Sequence, residues 1–289
     1  MYISPIVRNQ SYIVVAHVEL NSTMKRYLLP FVVVLCNLSC LSTWVYYPVR
    51  DLYVTPQKVG LRYETVELRT NDGVRLHCWY IPAADERGVV LFCHGNGGNI
   101  ARGMYTYSVF HAMNLSVFAL EYRGYGKSGG SPSEEGTYLD ARAAWNYLVH
   151  VKGVPPHRII IFGRSLGGAV ASWLAAHSEG GALVLESTFT SLNDIVKSHY
   201  ACVPVAVLTR IRYDSISNIP KVRCPVLVIH SRDDEVAPFS QGCALYESAQ
   251  SPKIFLEIRG SHNRGYILSG DNYSGGIDRF LSLYFDRTR

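Results

Sequence analysis

The chain has 289 residues, 28 of them lysine or arginine and 23 aspartate or glutamate, for a formal charge of +5. That length accommodates one large α/β domain or two small ones, and an apolar content of 48% excludes a disordered chain. No lysine and arginine run is long enough to track nucleic acid, and seven cysteines without a CxxC pair or a Cys/His cluster at zinc spacing argue against a structural metal or a dithiol redox site.

Residues 1–27 read as a cytoplasmic tail or an over-extended gene start, because Met24-Lys25-Arg26 resembles the beginning of an export signal. From Leu28 to Tyr47 the chain carries no charge, which matches the length a helix needs to span hydrocarbon. Trp44, Tyr46 and Tyr47 close that run with the aromatic residues that favour lipid headgroups. The expectation is a single-pass membrane protein with the domain that follows on the extracytoplasmic side, since Lys25 and Arg26 precede the run, although Arg50 follows it. A cleaved signal and a buried helix of a soluble protein are the competing readings, and a lipidated Cys40 is disfavoured by Asn37. Cys202 and Cys224 could pair only in an oxidising compartment; isolated thiols are the simpler reading.

A connector over 48–60 leads to residues 61–289, where apolar strand-like runs alternate with helical patterns, the signature of a mostly parallel sheet with helices on both faces. Tyr63 to Leu68 and Val74 to Ile81 flank Asn71-Asp72-Gly73 and predict an opening hairpin. Buried strands are predicted at Gly88 to Cys93, Ser116 to Glu121, Arg158 to Phe162, Ala182 to Leu185, Pro225 to His230 and Lys253 to Ile258. A helix is predicted after Ser131 as N-cap, with Pro132 first and Glu134 completing a capping box. Ala141, Ala144, Trp145 and Leu148 give it one apolar face. The weakly patterned stretch 188–220 predicts a small cap over the carboxyl edge of the sheet.

Gly163-Arg164-Ser165-Leu166-Gly167 follows one predicted strand and opens a helix, Gly168 to His177. That strand, tight turn and helix lift a nucleophilic serine above the sheet. Attack by Ser165 would need oxyanion donors: the backbone N–H of Leu166, and one from the His94-Gly95-Asn96-Gly97-Gly98-Asn99 loop, where Asn96 is preferred over Gly97. His94 reads as a structural residue of that loop. The acid and base follow the nucleophile on later loops. His262 lies beyond the last strand; Asp234 is the preferred acid over Asp233, Glu186 and Asp194. The set needs no cofactor or metal. Gly124 to Gly129 matches GxGxxG and contains Gly-Lys-Ser, but a Walker loop would need glycine at Glu121 and a dinucleotide loop would open its helix at once, so no nucleotide is expected.

These motifs, with Tyr47-Pro48, Tyr122-Arg123-Gly124-Tyr125-Gly126 and Asp234 to Pro238, resemble a family of membrane-anchored α/β-hydrolases over about Trp44 to Phe280. Its eukaryotic members include protein depalmitoylases and lysophospholipid lipases. The resemblance implies the α/β-hydrolase fold, Ser165, Asp234 and His262 as the triad, and hydrolysis of a carboxylic ester or thioester. Ser231 departs from the family, which usually has glycine there. A small-molecule or lipid acyl substrate near a membrane is therefore the leading expectation. A peptidase using the same triad and a catalytically silent membrane-anchored interaction module are the alternatives.

Overall fold

The computed structural model describes residues 45–199 and 211–286. Among the described residues there are ten strands: β1 (Tyr47–Pro48), β2 (Glu64–Arg69), β3 (Arg75–Ile81), β4 (Gly88–Cys93), β5 (Gly97–Gly98), β6 (Leu115–Leu120), β7 (Ile159–Arg164), β8 (Ala182–Glu186), β9 (Val226–Ser231) and β10 (Lys253–Ile258). Eight form one sheet in the order β10-β9-β8-β7-β4-β6-β3-β2. Only β2 and β3 break the parallel run, as the hairpin at Asn71-Asp72-Gly73 requires. The buried strands fall within a residue or two of their predicted limits, where strand ends are ill-defined in any case.

Alternation along each central strand divides the core into two layers, since successive side chains leave opposite faces of the sheet. Leu91, Ile161, Leu183 and Val228 face one layer, with the helices α2 (Glu134–Asn146) and α3 (Leu166–Ala176). Val90, Phe92, Ile160, Phe162, Val184 and Ile229 face the other, with α1 (Met104–Ala112) and a last helix, Gly270–Phe280. Strands buried on both faces explain the unbroken apolar runs Val89 to Cys93 and Ile159 to Phe162. Burying one such side chain contributes roughly 1.5–3 kcal/mol, so truncating Ile161 would strike the fold at its centre.

The start of α2 corrects the predicted cap. Ser133, with extended backbone, is the N-cap, and its hydroxyl accepts from the Gly136 N–H at 3.0 Å. Pro132 stays outside the helix because its ring is wedged against Gly124, where an added Cβ would lie 2.5 Å from the proline Cδ. Glu134 makes no capping box; its carboxylate accepts from the backbone N–H groups of Arg212 and Tyr213 at 2.6 and 2.8 Å.

The segment read as a connector is packed onto the domain. β1 pairs with β5, Asn99 Nδ2 donates to the carbonyls of Val49 and Asp51, and Pro56–Val59 forms a 3-10 turn. Tyr46, read as a headgroup residue, is buried, and its hydroxyl lies 3.0 Å from that of Tyr213. No helix among the described residues is long and apolar enough to cross a membrane; the predicted span 28–47, apart from Val45 to Tyr47, lies outside them. Of the stretch 188–220, the described part contains α4 (Leu192–His199) and a short turn, Ser215–Asn218. Cys224 is a free thiol, and Cys202 lies outside the described residues.

Candidate active site

Four loops meet at the carboxyl edge of the parallel strands, after β4, β7, β9 and β10, the edge where open α/β sheets bind ligands. Ser165 follows β7 with φ 52° and ψ −121°, a backbone conformation that a non-glycine residue holds only when its surroundings impose it. The imposing surroundings are glycines. An added Cβ on Gly163 would lie 2.2 Å from the Gly167 carbonyl oxygen, and one on Gly167 would lie 2.1 Å from that of Cys93. Because α3 begins immediately, at Leu166 and two residues earlier than predicted, the serine sits at its N-terminus.

The Ser165 hydroxyl donates to His262 Nε2 over 3.0 Å. Nδ1 of the same ring donates to Asp234, 2.8 Å from Oδ2 and 3.0 Å from Oδ1. That bond fixes the proton on Nδ1 and leaves Nε2 free to accept. Asp234 and His262 are buried, whereas Ser165 reaches the cavity. Burial pushes the Asp234 carboxyl up, but the His262 bond and charge and the N–H groups of Ala237 and Val236, at 2.8 and 2.9 Å, outweigh it. The net direction is below the ordinary carboxylate value.

The rival acids have other work. Asp233 accepts from the Gly260 N–H at 2.9 Å, and Asp194 binds Thr190 and Ser191. Glu186 is buried against the Arg164 guanidinium and accepts from the Tyr273 hydroxyl at 2.6 Å. Ser231, the departure from the family pattern, donates to the Gly260 carbonyl at 2.6 Å and accepts from the Asp233 N–H at 3.1 Å, tying the acid loop to the base loop. Glu235 adds a third tie by accepting from the His262 N–H at 3.0 Å.

The loop after β4 passes directly over the nucleophile, close enough that a Cβ on Gly95 would lie 3.5 Å from that of Ser165. Asn96 and Leu166 both line the cavity, and among the described residues neither backbone N–H has an acceptor. For Leu166 this follows from its place at the start of α3. The Asn96 side chain is engaged elsewhere: it donates to the Val45 carbonyl and accepts from the Tyr125 hydroxyl at 2.9 Å and the Tyr47 N–H at 3.3 Å. His94 is structural, with its ring between the Gly95 carbonyl and the buried Glu121. Gly124 to Gly129 closes on itself through the Gly124 N–H and Gly129 carbonyl, and Ser128 donates to the Glu121 carbonyl.

Two features escaped the sequence reading. Arg164, inside the elbow, lies 3.6 Å above the Tyr266 ring and holds that tyrosine at the cavity wall. His230 lies beneath the acid, donating from Nε2 to the Ala237 carbonyl at 2.8 Å, and burial pushes its pKa down. The Arg164 contact joins distant segments and the His230 bond spans the acid loop, so neither leaves a local motif. The cavity itself has a volume of about 510 Å³. Phe189, Leu192, Ile195, Val196 and Val236 make one wall apolar, Arg102 and Arg164 are its charged lining residues, and no carboxylate lines it among the described residues.

Residues 84–214 match the family model described as serine aminopeptidase, S33. The chain is 35% identical to protein bem46 of Schizosaccharomyces pombe, with 81% of each chain covered. It is 33% identical to human alpha/beta hydrolase domain-containing protein 17B, covering 74% of this chain and 73% of that one. The structure of the Pyrococcus furiosus esterase Pf2001 superimposes with a TM-score of 0.69 at 20% identity, covering 83% of this chain and 98% of the esterase, a likeness of fold.

Proposed function

Since the chain belongs to the α/β-hydrolase family that includes bem46 and the domain-containing protein 17B, we propose that it is a serine hydrolase cleaving carboxylic esters or thioesters of acyl groups near a membrane. The observation that carries this reading is the unbroken relay from Ser165 Oγ through His262 to Asp234, set beside the unengaged N–H groups of Asn96 and Leu166.

His262 Nε2 takes the serine proton as Oγ attacks the carbonyl carbon, and Asp234 stabilises the imidazolium that forms. The oxyanion is held by the N–H groups of Leu166 and Asn96. The first collapse returns the proton to the departing alcohol or thiol and leaves an acyl-serine. Water, deprotonated by His262, then attacks the acyl carbon, and the second collapse frees the carboxylic acid and restores Ser165.

The aminopeptidase description of the matching model favours a second reading, cleavage of amides. Against it stands the cavity lining, which offers an amino terminus two arginines and no carboxylate among the described residues. The apolar run Leu28 to Trp44 supports placement of the enzyme at a membrane, and Lys25 and Arg26 ahead of it support an extracytoplasmic domain.

A fluorophosphonate probe is expected to label the protein, and Ser165→Ala to abolish both labelling and p-nitrophenyl ester turnover. Labelling that survives in the alanine variant overturns the assignment. Turnover of aminoacyl anilides exceeding that of short esters would favour the peptidase reading.

A further inference from the structure

Among the described residues the chain begins at Val45, and it begins at the cavity. Val45 and Tyr47 both line the space in front of Ser165, while Tyr46 between them is buried in the core. Asn96 holds this segment on either side of Tyr46, donating to the Val45 carbonyl and accepting from the Tyr47 N–H. Immediately ahead lies the charge-free run Leu28 to Trp44. In sequence, nothing separates that run from the residues at the mouth of the active site.

The mouth is built for an apolar neighbour. Tyr47 is 61% exposed and Val236, another lining residue, 38%. Tyr105 packs edge-on against the lining residue Tyr266, and Ile267 and Leu268, which follow it, are 41% and 62% exposed. Arg102 lines the cavity and is exposed; Arg264 follows the lining residue Asn263. Neither arginine has a carboxylate partner among the described residues. Apolar side chains interleaved with unpaired cations fit an anionic bilayer surface.

We propose that the rim formed by Tyr47, Tyr105, Val236, Ile267 and Leu268 docks on the bilayer, so that the acyl substrate passes from lipid into the cavity without crossing water. The proposal rests on the serine-hydrolase reading for its substrate, but the docking is measurable on its own. The apolar wall of Leu192, Ile195 and Val196 continues the path inward to Ser165.

The test uses the whole chain reconstituted in phosphatidylcholine vesicles containing phosphatidylglycerol, with two substrates: a soluble short-chain p-nitrophenyl ester and a long-chain acyl ester embedded in the bilayer. Ile267→Asp combined with Leu268→Asp is expected to lower turnover of the embedded ester about tenfold, as charges replace interfacial apolar groups. Turnover of the soluble ester stays at the parent level. Val151→Asp serves as the control. Val151 is exposed at the end of the α2 extension that leads into β7, hence at the opposite edge of the sheet, and this variant alters neither rate. In parallel, Leu268→Trp fluorescence is expected to be quenched by lipids brominated on their chains, and Val151→Trp fluorescence to be unaffected. Equal loss on both substrates, or quenching at 268 no stronger than at 151, overturns the docking face. A parent protein that hydrolyses neither ester defeats the hydrolase reading instead, and the quenching still decides the docking.

Discussion

Replacing Gly167 by alanine adds one methyl group where the elbow meets the oxyanion loop. That Cβ would lie 2.1 Å from the Cys93 carbonyl oxygen and 2.4 Å from that of His94, whereas ordinary contacts start at 3.4 Å. Both obstacles are backbone atoms, one at the end of a central strand and one in the donor loop, so no side chain can swing aside. The nucleophile and the Asn96 donor must separate by about 1 Å or more, and a misplacement of that size costs about a hundredfold in rate. Overpacking of this kind costs roughly 1–3 kcal/mol, which for a domain of this size lowers the melting temperature by roughly 2–12 °C. The assay pairs kcat/KM on a short p-nitrophenyl ester with a thermal melt, and adds the rate of fluorophosphonate labelling. A folded Gly167→Ala protein with parental kcat/KM would refute the argument that these backbones set the catalytic geometry; loss of the fold altogether would show the contact to be needed for stability first.

Asp234→Asn leaves the fold intact but removes the anion that orients Nδ1–H, and kcat is expected to fall about 10⁴-fold. Because the folded carboxyl sits below its ordinary value, its contribution to stability is fully present above the unfolded value of about 4 and is lost as pH falls through the lower folded value. Melts of parent and Asp234→Asn should therefore converge as the pH drops below about 4, and a gap that widens there contradicts the assignment. Asn96→Ala removes three hydrogen bonds between the donor loop and its surroundings. It is expected to cost roughly 2–4 kcal/mol in denaturant titrations and to slow ester turnover even though the donor N–H is retained. Ser231→Ala cuts one of the three ties between the acid and base loops. A loss of roughly 1–2 kcal/mol is expected, with a fall in kcat larger than any change in KM.

What could be read from the sequence was local or periodic. The strand from Val89 to Cys93 announces itself because a strand buried on both faces is continuously apolar, and Ser165 because its glycines occupy positions where any Cβ collides with backbone. The order of the loops bearing Ser165, Asp234 and His262 was likewise legible, since each follows a recognisable strand. The misread features turn on partners far along the chain. Ser131 and Ser133 are equally good caps in sequence; the packing of Pro132 on Gly124 decides between them. Glu134 has the spacing of a capping box, yet its carboxylate is taken by amides 78 and 79 residues away. Tyr46 ends an apolar run and looks interfacial, but β1 turns it inward to Tyr213. Arg164 carries no signature of its role because its partners, Glu186 on β8 and Tyr266 beyond the last strand, are far along the chain; His230 carries none because its bond to Ala237 depends on the path of the acid loop.

Under the proposed membrane anchoring, the segment that Asn96 holds would tie release of the enzyme to its silencing. Tyr53, 65% exposed in an irregular stretch, is a natural place for a protease to clip the chain behind its apolar run. A cut there would free the domain while stripping away Val45 to Tyr47, the residues that hold Asn96 in place. A shed fragment starting near Leu61 would keep Ser165, Asp234 and His262 and lose the support of the loop that must receive the oxyanion. Cleavage that spares catalysis has to fall ahead of Val45.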